Sequence, residues 1–331
     1  MVISMIKCFL GMLVGFLSSL VLGLFLIPVL KKMKADQTLS VYLEERHASK
    51  KGTPTIGGLI FIFSTLITIF TMVFLGKIQI TYSLLIILLT FIGYGLIGFV
   101  DDYLIIKQHD NKGLTERQKL ILQIIVATIF FVLFLLDGNE PLLWIHTFNI
   151  KINIGFLYGF FILFVLLASS NAVNITDGLD GLAAGLSFIA LTTFGIITLY
   201  TTWLDGNVSL AIFLFILAGS VLGFLYYNSN PAKIFMGDTG SLALGAVLGA
   251  TAIVTRHELL LILIGIVFVI ETLTCVIQRI YYKFTRKRLF IMTPIHHAFE
   301  KKGWKEQEIV RLFWLIAMIA SLLAVSFGIF L

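Results

Sequence analysis

Long apolar runs separated by short polar segments dominate the chain. A helix crosses the hydrocarbon core of a bilayer with about 20 mostly apolar residues. On that rule the pattern predicts an all-α, polytopic integral membrane protein with about ten transmembrane helices. The predicted spans cover residues 5–30, 56–75, 80–100, 120–136, 154–170, 182–203, 208–226, 240–255, 259–280 and 309–331. We expect residues 1–331 to form a single membrane-embedded domain.

Composition supports this class. The 331 residues are 59% hydrophobic and 13% charged, whereas soluble domains are about 45–50% apolar and about 25% charged. Cys8 and Cys275 both lie inside apolar runs, so no disulfide framework is expected. The first apolar run lacks a cleavage site, and we interpret it as a retained span. We expect contact with membrane lipid and no nucleic-acid partner.

The basic residues divide unequally between the two sides of the predicted bundle. All but four of the 24 Lys and Arg residues lie on one side; the four are Lys7, Lys77, Lys151 and Arg256. Cytoplasmic loops carry the excess of Lys and Arg. The basic side is therefore predicted to be cytoplasmic, with both termini extracytoplasmic. Its loops are residues 31–55, 101–119, 171–181, 227–239 and 281–308.

The adjacent carboxylates Asp101 and Asp102 end the third predicted span. The C-terminal end of a helix disfavours each anion by about 0.3–1 kcal/mol at exposed sites. A solvated helix end is the simplest explanation. We favour a compensating cation instead, either a metal ion or a Lys or Arg side chain.

The segment from Asn171 to Gly185 contains two further carboxylates, Asp177 and Asp180, before the sixth span. Asp is a frequent helix cap, so capping alone would explain one of them. It explains the second less well, because like charges at i and i+3 repel. Irregular polar backbone in a membrane protein must face water or line a cavity. This segment is therefore expected to face water or a ligand.

Asp238 lies in the glycine-rich segment Phe235–Ser241, which opens the eighth predicted span. It too has a capping alternative. Glycine permits close backbone approach, and free N–H groups at a helix start favour an anion. Mg²⁺ typically uses one or two carboxylates together with phosphate oxygens. With Asp101 and Asp102, this segment would supply carboxylates for Mg²⁺ beside amides for phosphate.

Three other polar features have both structural and functional interpretations. His296 and His297, followed by Glu300, suit binding of phosphate or sugar hydroxyls, or proton transfer. Lys50 precedes the second span and is either an orientation signal or a contact to a diphosphate. Glu271 lies within the ninth span and is expected to face the bundle interior, because charge is costly in hydrocarbon.

Five segments, in order, resemble the polyprenyl-phosphate N-acetylhexosamine-1-phosphate transferases. The first and last segments resemble the bacterial phospho-N-acetylmuramoyl-pentapeptide transferases in particular, and the resemblance extends from Lys50 to Trp304. The segments read Lys-Lys-Gly-Thr-Pro-Thr-Ile-Gly-Gly, Asp-Asp, Asn-Ala-Val-Asn-Ile-Thr-Asp-Gly-Leu-Asp-Gly-Leu-Ala, Phe-Met-Gly-Asp-Thr-Gly-Ser-Leu-Ala-Leu-Gly and Pro-Ile-His-His-Ala-Phe-Glu.

The resemblance implies a ten-helix enzyme of the bacterial cell membrane with a cytoplasmic, Mg²⁺-dependent site. Such an enzyme moves phospho-MurNAc-pentapeptide from UDP-MurNAc-pentapeptide to undecaprenyl phosphate and releases UMP. Asp238 would bind the metal, and Asp101 and Asp102 would be catalytic, with Asp101 a candidate base. The implied substrate-binding residues are Lys50, Thr55, Asn174, Asp177, Asp180, Asn228, Phe235, His296 and His297, with Phe235 stacking on uracil.

Two positions depart from the family pattern. Ala298 stands where a third consecutive His is frequent, and Ile105 stands where many members have a Lys, with Lys107 a weak replacement. The closest alternative is a sister transferase that uses UDP-GlcNAc. CDP-alcohol phosphotransferases also use Asp-Gly-rich motifs, but no matching Arg-bearing pattern follows Asp177 and Gly178 in this chain. A transporter is the alternative from another class of protein. It would place its polar residues near mid-membrane, whereas the polar residues here are predicted to lie at one membrane surface. Glycine-rich span faces permit a homodimer without requiring one.

Overall fold

Helices make up most of the described chain in this computed structural model, which describes residues 2–33, 50, 52–108, 113–145 and 150–330. Most of the predicted loop 31–55, including Lys51, therefore lies outside the described residues. The helices are α1 (Val2–Lys32), α2 (Gly58–Phe74), α3 (Tyr82–Gln108), α4 (Glu116–Leu136), α5 (Leu157–Thr176), α6 (Leu182–Tyr200), α7 (Asn207–Asn228), α8 (Gly237–Val254), α9 (Glu258–Ile264), α10 (Ile266–Thr285), α11 (Ile295–Lys301) and α12 (Glu306–Phe330). Strands β1 (Leu142–Ile145) and β2 (Ile150–Asn153) form an antiparallel hairpin.

The predicted membrane spans correspond to helices throughout. Eight of the described helices are long and apolar enough to cross a membrane, namely α1, α3 to α8 and α12. The bent pair of α9 and α10 is a ninth candidate, and α2, with 17 residues, is a shorter apolar helix at the second predicted span. The prediction of an all-α, polytopic membrane protein is thus confirmed. The orientation of the termini stays a prediction.

Local structure differs from the sequence prediction in several places. Asp101 and Asp102 do not end their helix, since α3 continues to Gln108; the argument from an unfavourable helix end is therefore wrong. α5 likewise continues through Asn174 to Thr176. The ninth span is broken at Gly265, where α9 and α10 meet at 86°. The hairpin of β1 and β2 was not predicted.

The two most buried helices, α7 and α8, lie at the centre of the bundle. α7 packs on α1, α2 and α6, while α8 packs on α3 and α5. Small residues allow helix backbones to approach closely. A Cβ added at Gly219 would overlap the backbone of Met12, and one added at Gly98 would overlap the backbone of Asp238. Close packing through Gly98 brings the acidic pair of α3 to the start of α8.

Candidate active site

The carboxylate of Asp102 closes the N-terminal end of α8. One oxygen, Oδ1, accepts the N–H of Asp238 at 3.1 Å. The other, Oδ2, accepts the N–H of Thr239 at 2.9 Å and its hydroxyl at 2.6 Å. Helix N-termini favour negative charge, which compensates the buried Asp102. These two amides are therefore occupied by the protein itself, and our expectation that they would bind a substrate phosphate is wrong.

A lysine compensates the other two carboxylates. Lys119 Nζ lies 2.8 Å from Asp101 Oδ2 and 2.8 Å from Asp238 Oδ2. The N–H of Leu114 also donates to Asp101 Oδ1 at 2.6 Å. Lys107, the replacement that the sequence suggested, is exposed near the end of α3. The cation expected beside the acidic pair is thus Lys119.

Sequence reasoning counted Lys119 only as an orientation charge. A usable signal was present at Thr115, whose side chain and that of Gln118 form a capping box at the start of α4. The pattern of Thr followed three residues later by Gln marks a helix start. It would have placed Lys119 in the first turn of the fourth span, at the same membrane surface as the acidic pair.

Three carboxylates converge closely enough to share a cation. One oxygen from each of Asp101, Asp102 and Asp238 lies within 4.8 Å of the others. Asp238 is the most open of the three, and its Oδ1 accepts the side-chain N–H of Asn174 at 2.7 Å. All-oxygen donor sets of this kind suit Mg²⁺. The residues therefore fit the metal that the sequence led us to expect.

A second polar cluster forms around Lys50. Its Nζ lies 2.6 Å from Asp180 Oδ1 and 2.7 Å from Glu306 Oε1. Burial lowers the pKa of Lys50, but the Glu306 and Asp180 carboxylates outweigh this and raise it above its usual value. Asp180 Oδ2 accepts the side-chain N–H of Asn230 at 3.1 Å and the N–H of Ala232 at 3.0 Å. Glu306 and Asn230 were missed by sequence reasoning, because neither lies in a distinctive motif.

The acidic residues near α6 and α8 are not helix caps. The residue before α6 is Gly181 and the residue before α8 is Met236, and neither of these two residues makes a side-chain cap hydrogen bond. Asp180 is engaged with Lys50 and Asp238 with Lys119. The capping alternative is therefore wrong for both carboxylates.

Asp177 connects the two clusters electrostatically. It follows α5 and is half-buried. Desolvation raises the pKa of Asp177 well above its usual value; Asp238, Asp102 and Asp180 raise it further, and Lys50 lowers it. Charges from both clusters thus act on this one carboxyl group.

The remaining predicted side chains have distinct positions around this centre. Thr55 is buried, and a Cβ added at Gly237 would lie 2.8 Å from its Oγ1 and 2.5 Å from Asp102 Oδ2. Asn228 is buried; its Oδ1 accepts the N–H of Gly181 at 3.1 Å and its Nδ2 donates to the Ile234 carbonyl at 2.9 Å. Asn228 thereby ties together two loops of the site.

Phe235 is joined to the segment around Thr55 through its backbone. Its N–H donates to the Pro54 carbonyl at 2.8 Å, and its carbonyl accepts the N–H of Gly57 at 2.9 Å. The side chain is half-buried. Stacking of its ring on uracil stays a prediction.

The two adjacent histidines have different environments. His296 is fully buried, with Nδ1 3.1 Å from Glu271 Oε1, and a Cβ added at Gly178 would overlap its ring. His297 pairs through Nδ1 with Glu300 of the same helix. Glu271 is fully buried, which confirms that it faces the bundle interior. His296 therefore lies directly beneath the turn that follows Asp177.

The fold and this acidic centre are those of an integral membrane transferase, and residues 84–256 match the model of glycosyl transferase family 4. Named relatives cover nearly the whole chain. A phospho-N-acetylmuramoyl-pentapeptide-transferase of Staphylococcus aureus is 45% identical over 307 residues, 92% of this chain and 94% of the relative. Those of Staphylococcus epidermidis and Shouchella clausii are 45% and 41% identical, each over 97% of this chain and over 99% and 97% of the relatives. The chain belongs to the phospho-N-acetylmuramoyl-pentapeptide-transferase family.

Lys119→Met should lower transferase turnover about 100-fold, because it removes the positive charge shared by Asp101 and Asp238. Lys107→Met is the matched control, since Lys107 is exposed on the neighbouring helix α3. It should stay within about twofold of the unmodified protein. Steady-state rates of both variants provide the measurement. Equal rates for the two variants would show that Lys119 has no special place in the site.

Proposed function

We propose that the protein transfers phospho-MurNAc-pentapeptide from UDP-MurNAc-pentapeptide to undecaprenyl phosphate, releasing UMP and forming the first lipid-linked peptidoglycan precursor. The near-full-length similarity to relatives named for phospho-N-acetylmuramoyl-pentapeptide transfer carries this proposal. The acidic centre supports it, because phosphoryl transfer requires chiefly positioning and charge neutralisation.

The site is proposed to face the cytoplasm of a bacterial cell, with the chain forming one membrane-embedded domain and both termini extracytoplasmic. The distribution of Lys and Arg supports this orientation. In that arrangement a water-soluble nucleotide sugar meets the phosphate of an acceptor whose prenyl tail stays in the membrane. Both reacting groups then meet at the bilayer surface.

Asp238 is proposed to hold Mg²⁺, and Asp101 and Asp102 are proposed to orient the ion and the diphosphate. When bound, the ion would neutralise charge on the transferred phosphoryl group. Asn174 orients Asp238 through the 2.7 Å hydrogen bond to Oδ1. Asp102 serves the site by holding the start of α8, which carries Asp238, against α3. Asp101 is the proposed base toward the lipid phosphate.

The nucleotide sugar is proposed to lie across the neighbouring cluster. Asp177, Asp180, Asn228 and Phe235 would bound the nucleoside side, with Thr55 beside the start of α8. Lys50 would face the diphosphate from its position between Asp180 and Glu306. His296 borders the turn after Asp177 from α11, and His297 is proposed to complete the substrate contacts from the same helix.

Purified protein with Mg²⁺ and undecaprenyl phosphate should release UMP from UDP-MurNAc-pentapeptide at least about tenfold faster than from UDP-GlcNAc. Coupled detection of UMP, with extraction of the lipid product, provides the measurement. A preference for UDP-GlcNAc would move the protein to the sister activity. No UMP from either nucleotide would overturn the transferase proposal.

A further inference from the structure

We propose that Glu271 is a positioning residue that fixes His296 beneath the turn carrying Asp177 and Gly178. The inference rests on the proposed function insofar as this turn borders the transferase site. Glu271 itself contacts none of the three clustered carboxylates in any hydrogen bond or ion pair among the described residues.

Glu271 is a fully buried carboxylate on α10, six residues beyond the break at Gly265. A buried carboxylate is costly unless it is paired or hydrogen-bonded. Here it accepts the N–H of Ile295 at 2.8 Å and the N–H of His296 at 3.3 Å. The residue before α11 is Pro294, and α11 has no side-chain cap. Glu271 therefore supplies, from a different helix, the anion that holds the start of α11.

The same carboxylate faces the imidazole of His296. Its Oε1 lies 3.1 Å from Nδ1, a close contact without hydrogen-bond alignment. Carboxylates beside one ring nitrogen favour the proton there and orient the ring. The other nitrogen, Nε2, is buried without a hydrogen-bond partner among the residues described, on the side where Gly178 covers the ring. The contacts run from Glu271 through His296 to the acidic turn.

The neighbouring pair of His297 and Glu300 differs in one decisive way. Both of its members belong to α11, three residues apart. That pair moves with α11, whereas Glu271 and His296 join α10 to α11. Glu271 therefore transmits the position of the bent helix α10 to the turn of the site, and Glu300 supplies a matched control.

Nitrogen-15 NMR of histidine-labelled protein tests the contact without requiring activity. The His296 signals are assigned by their loss in His296→Asn, and they should show Nδ1 protonated in the unmodified protein. Glu271→Gln should move the ring proton to Nε2, because the amide N–H₂ then faces Nδ1. Glu300→Gln should alter only the His297 signals. His296 signals that are unchanged in Glu271→Gln would overturn the proposal.

A double-mutant cycle tests whether Glu271 acts through His296. Glu271→Gln should lower turnover about 10–100-fold, and the double variant with His296→Asn should lose no more than about threefold beyond His296→Asn alone. Fully additive losses would overturn the proposal. Glu271→Asp keeps the charge, so it should retain Nδ1 protonation and turn over faster than Glu271→Gln. If Glu271→Gln does not fold, Glu271→Asp alone tests the contact. A ring proton that moves to Nε2 in Glu271→Asp would count against the proposal. If the unmodified protein has no transferase activity, only the proposed function is overturned. The NMR test of the contact between Glu271 and His296 does not depend on activity.

Discussion

Asp238→Asn should lower turnover by at least about 1,000-fold while the protein still folds. Asp238 is the most open of the three clustered carboxylates, and the substitution keeps its shape while removing its charge. In phosphoryl transfer, charge placement accounts for most of the catalysis. Among the described residues, Asp101 would remain as the ion-pair partner of Lys119. The loss should therefore appear in turnover, and not in folding.

Three measurements check this prediction. UMP release gives the rate, Mn²⁺ titration followed by electron paramagnetic resonance gives metal affinity, and thermal unfolding gives stability. Affinity for Mn²⁺ should fall at least about tenfold, because one of the carboxylate donors is lost. Asp205→Asn, at an exposed carboxylate in the loop before α7, is the matched control and should change none of the three. Turnover of Asp238→Asn within tenfold of the unmodified protein would show that Asp238 has no catalytic role in the acidic centre.

Gly98→Ala should lower turnover about 100-fold or more and reduce thermal stability. A Cβ at Gly98 would overlap the carbonyl oxygen of Asp238 and would lie 2.5 Å from the Thr239 nitrogen. Both are backbone atoms, so no rotamer change relieves the overlap and α3 must move away from α8. Overpacking of this kind costs about 1–3 kcal/mol. Misplacement of reacting groups by about 1 Å lowers rates about 100-fold.

Gly95→Ala on the same helix separates this effect from helix propensity. Its added Cβ would lie 3.2 Å from Ile62 Cδ1, the mobile end of a side chain, and 3.7 Å from Ala243 Cβ. We expect its turnover to stay within about threefold of the unmodified protein. UMP release and unfolding temperature are measured for both variants. If Gly98→Ala is as active as Gly95→Ala, the acidic centre does not depend on close packing of α3 and α8.

The sequence reveals the acidic residues of the centre but not how their charges are compensated. Asp101, Asp102 and Asp238 are recognisable because carboxylates next to apolar runs are rare and costly. Their partners are not recognisable in the same way. Lys119 lies 119 positions before Asp238, and Glu306 lies 126 positions after Asp180. Contacts at such separations follow from helix packing, which no local pattern encodes.

Helix ends also separate what the sequence predicts from what only the packed structure shows. The apolar runs predicted every span, because the match between about 20 apolar residues and the bilayer is a local property of the chain. They did not predict that α3 would continue past Asp102, whose buried carboxylate accepts the N–H groups of Asp238 and Thr239 from a helix that is distant along the chain. The 86° bend at Gly265 likewise has no counterpart in the hydrophobic pattern.

By itself, the sequence determined the membrane class, the helical segments, the unequal charge distribution and the motifs of the family. These depend on residue type and short-range order. Only the tertiary structure decided that Asp102 closes α8, that Lys119 joins Asp101 to Asp238, and that Glu271 supports His296. These contacts join helices that are distant along the chain, and they form because small residues such as Gly98 let the helices pack closely enough to bring buried charges together.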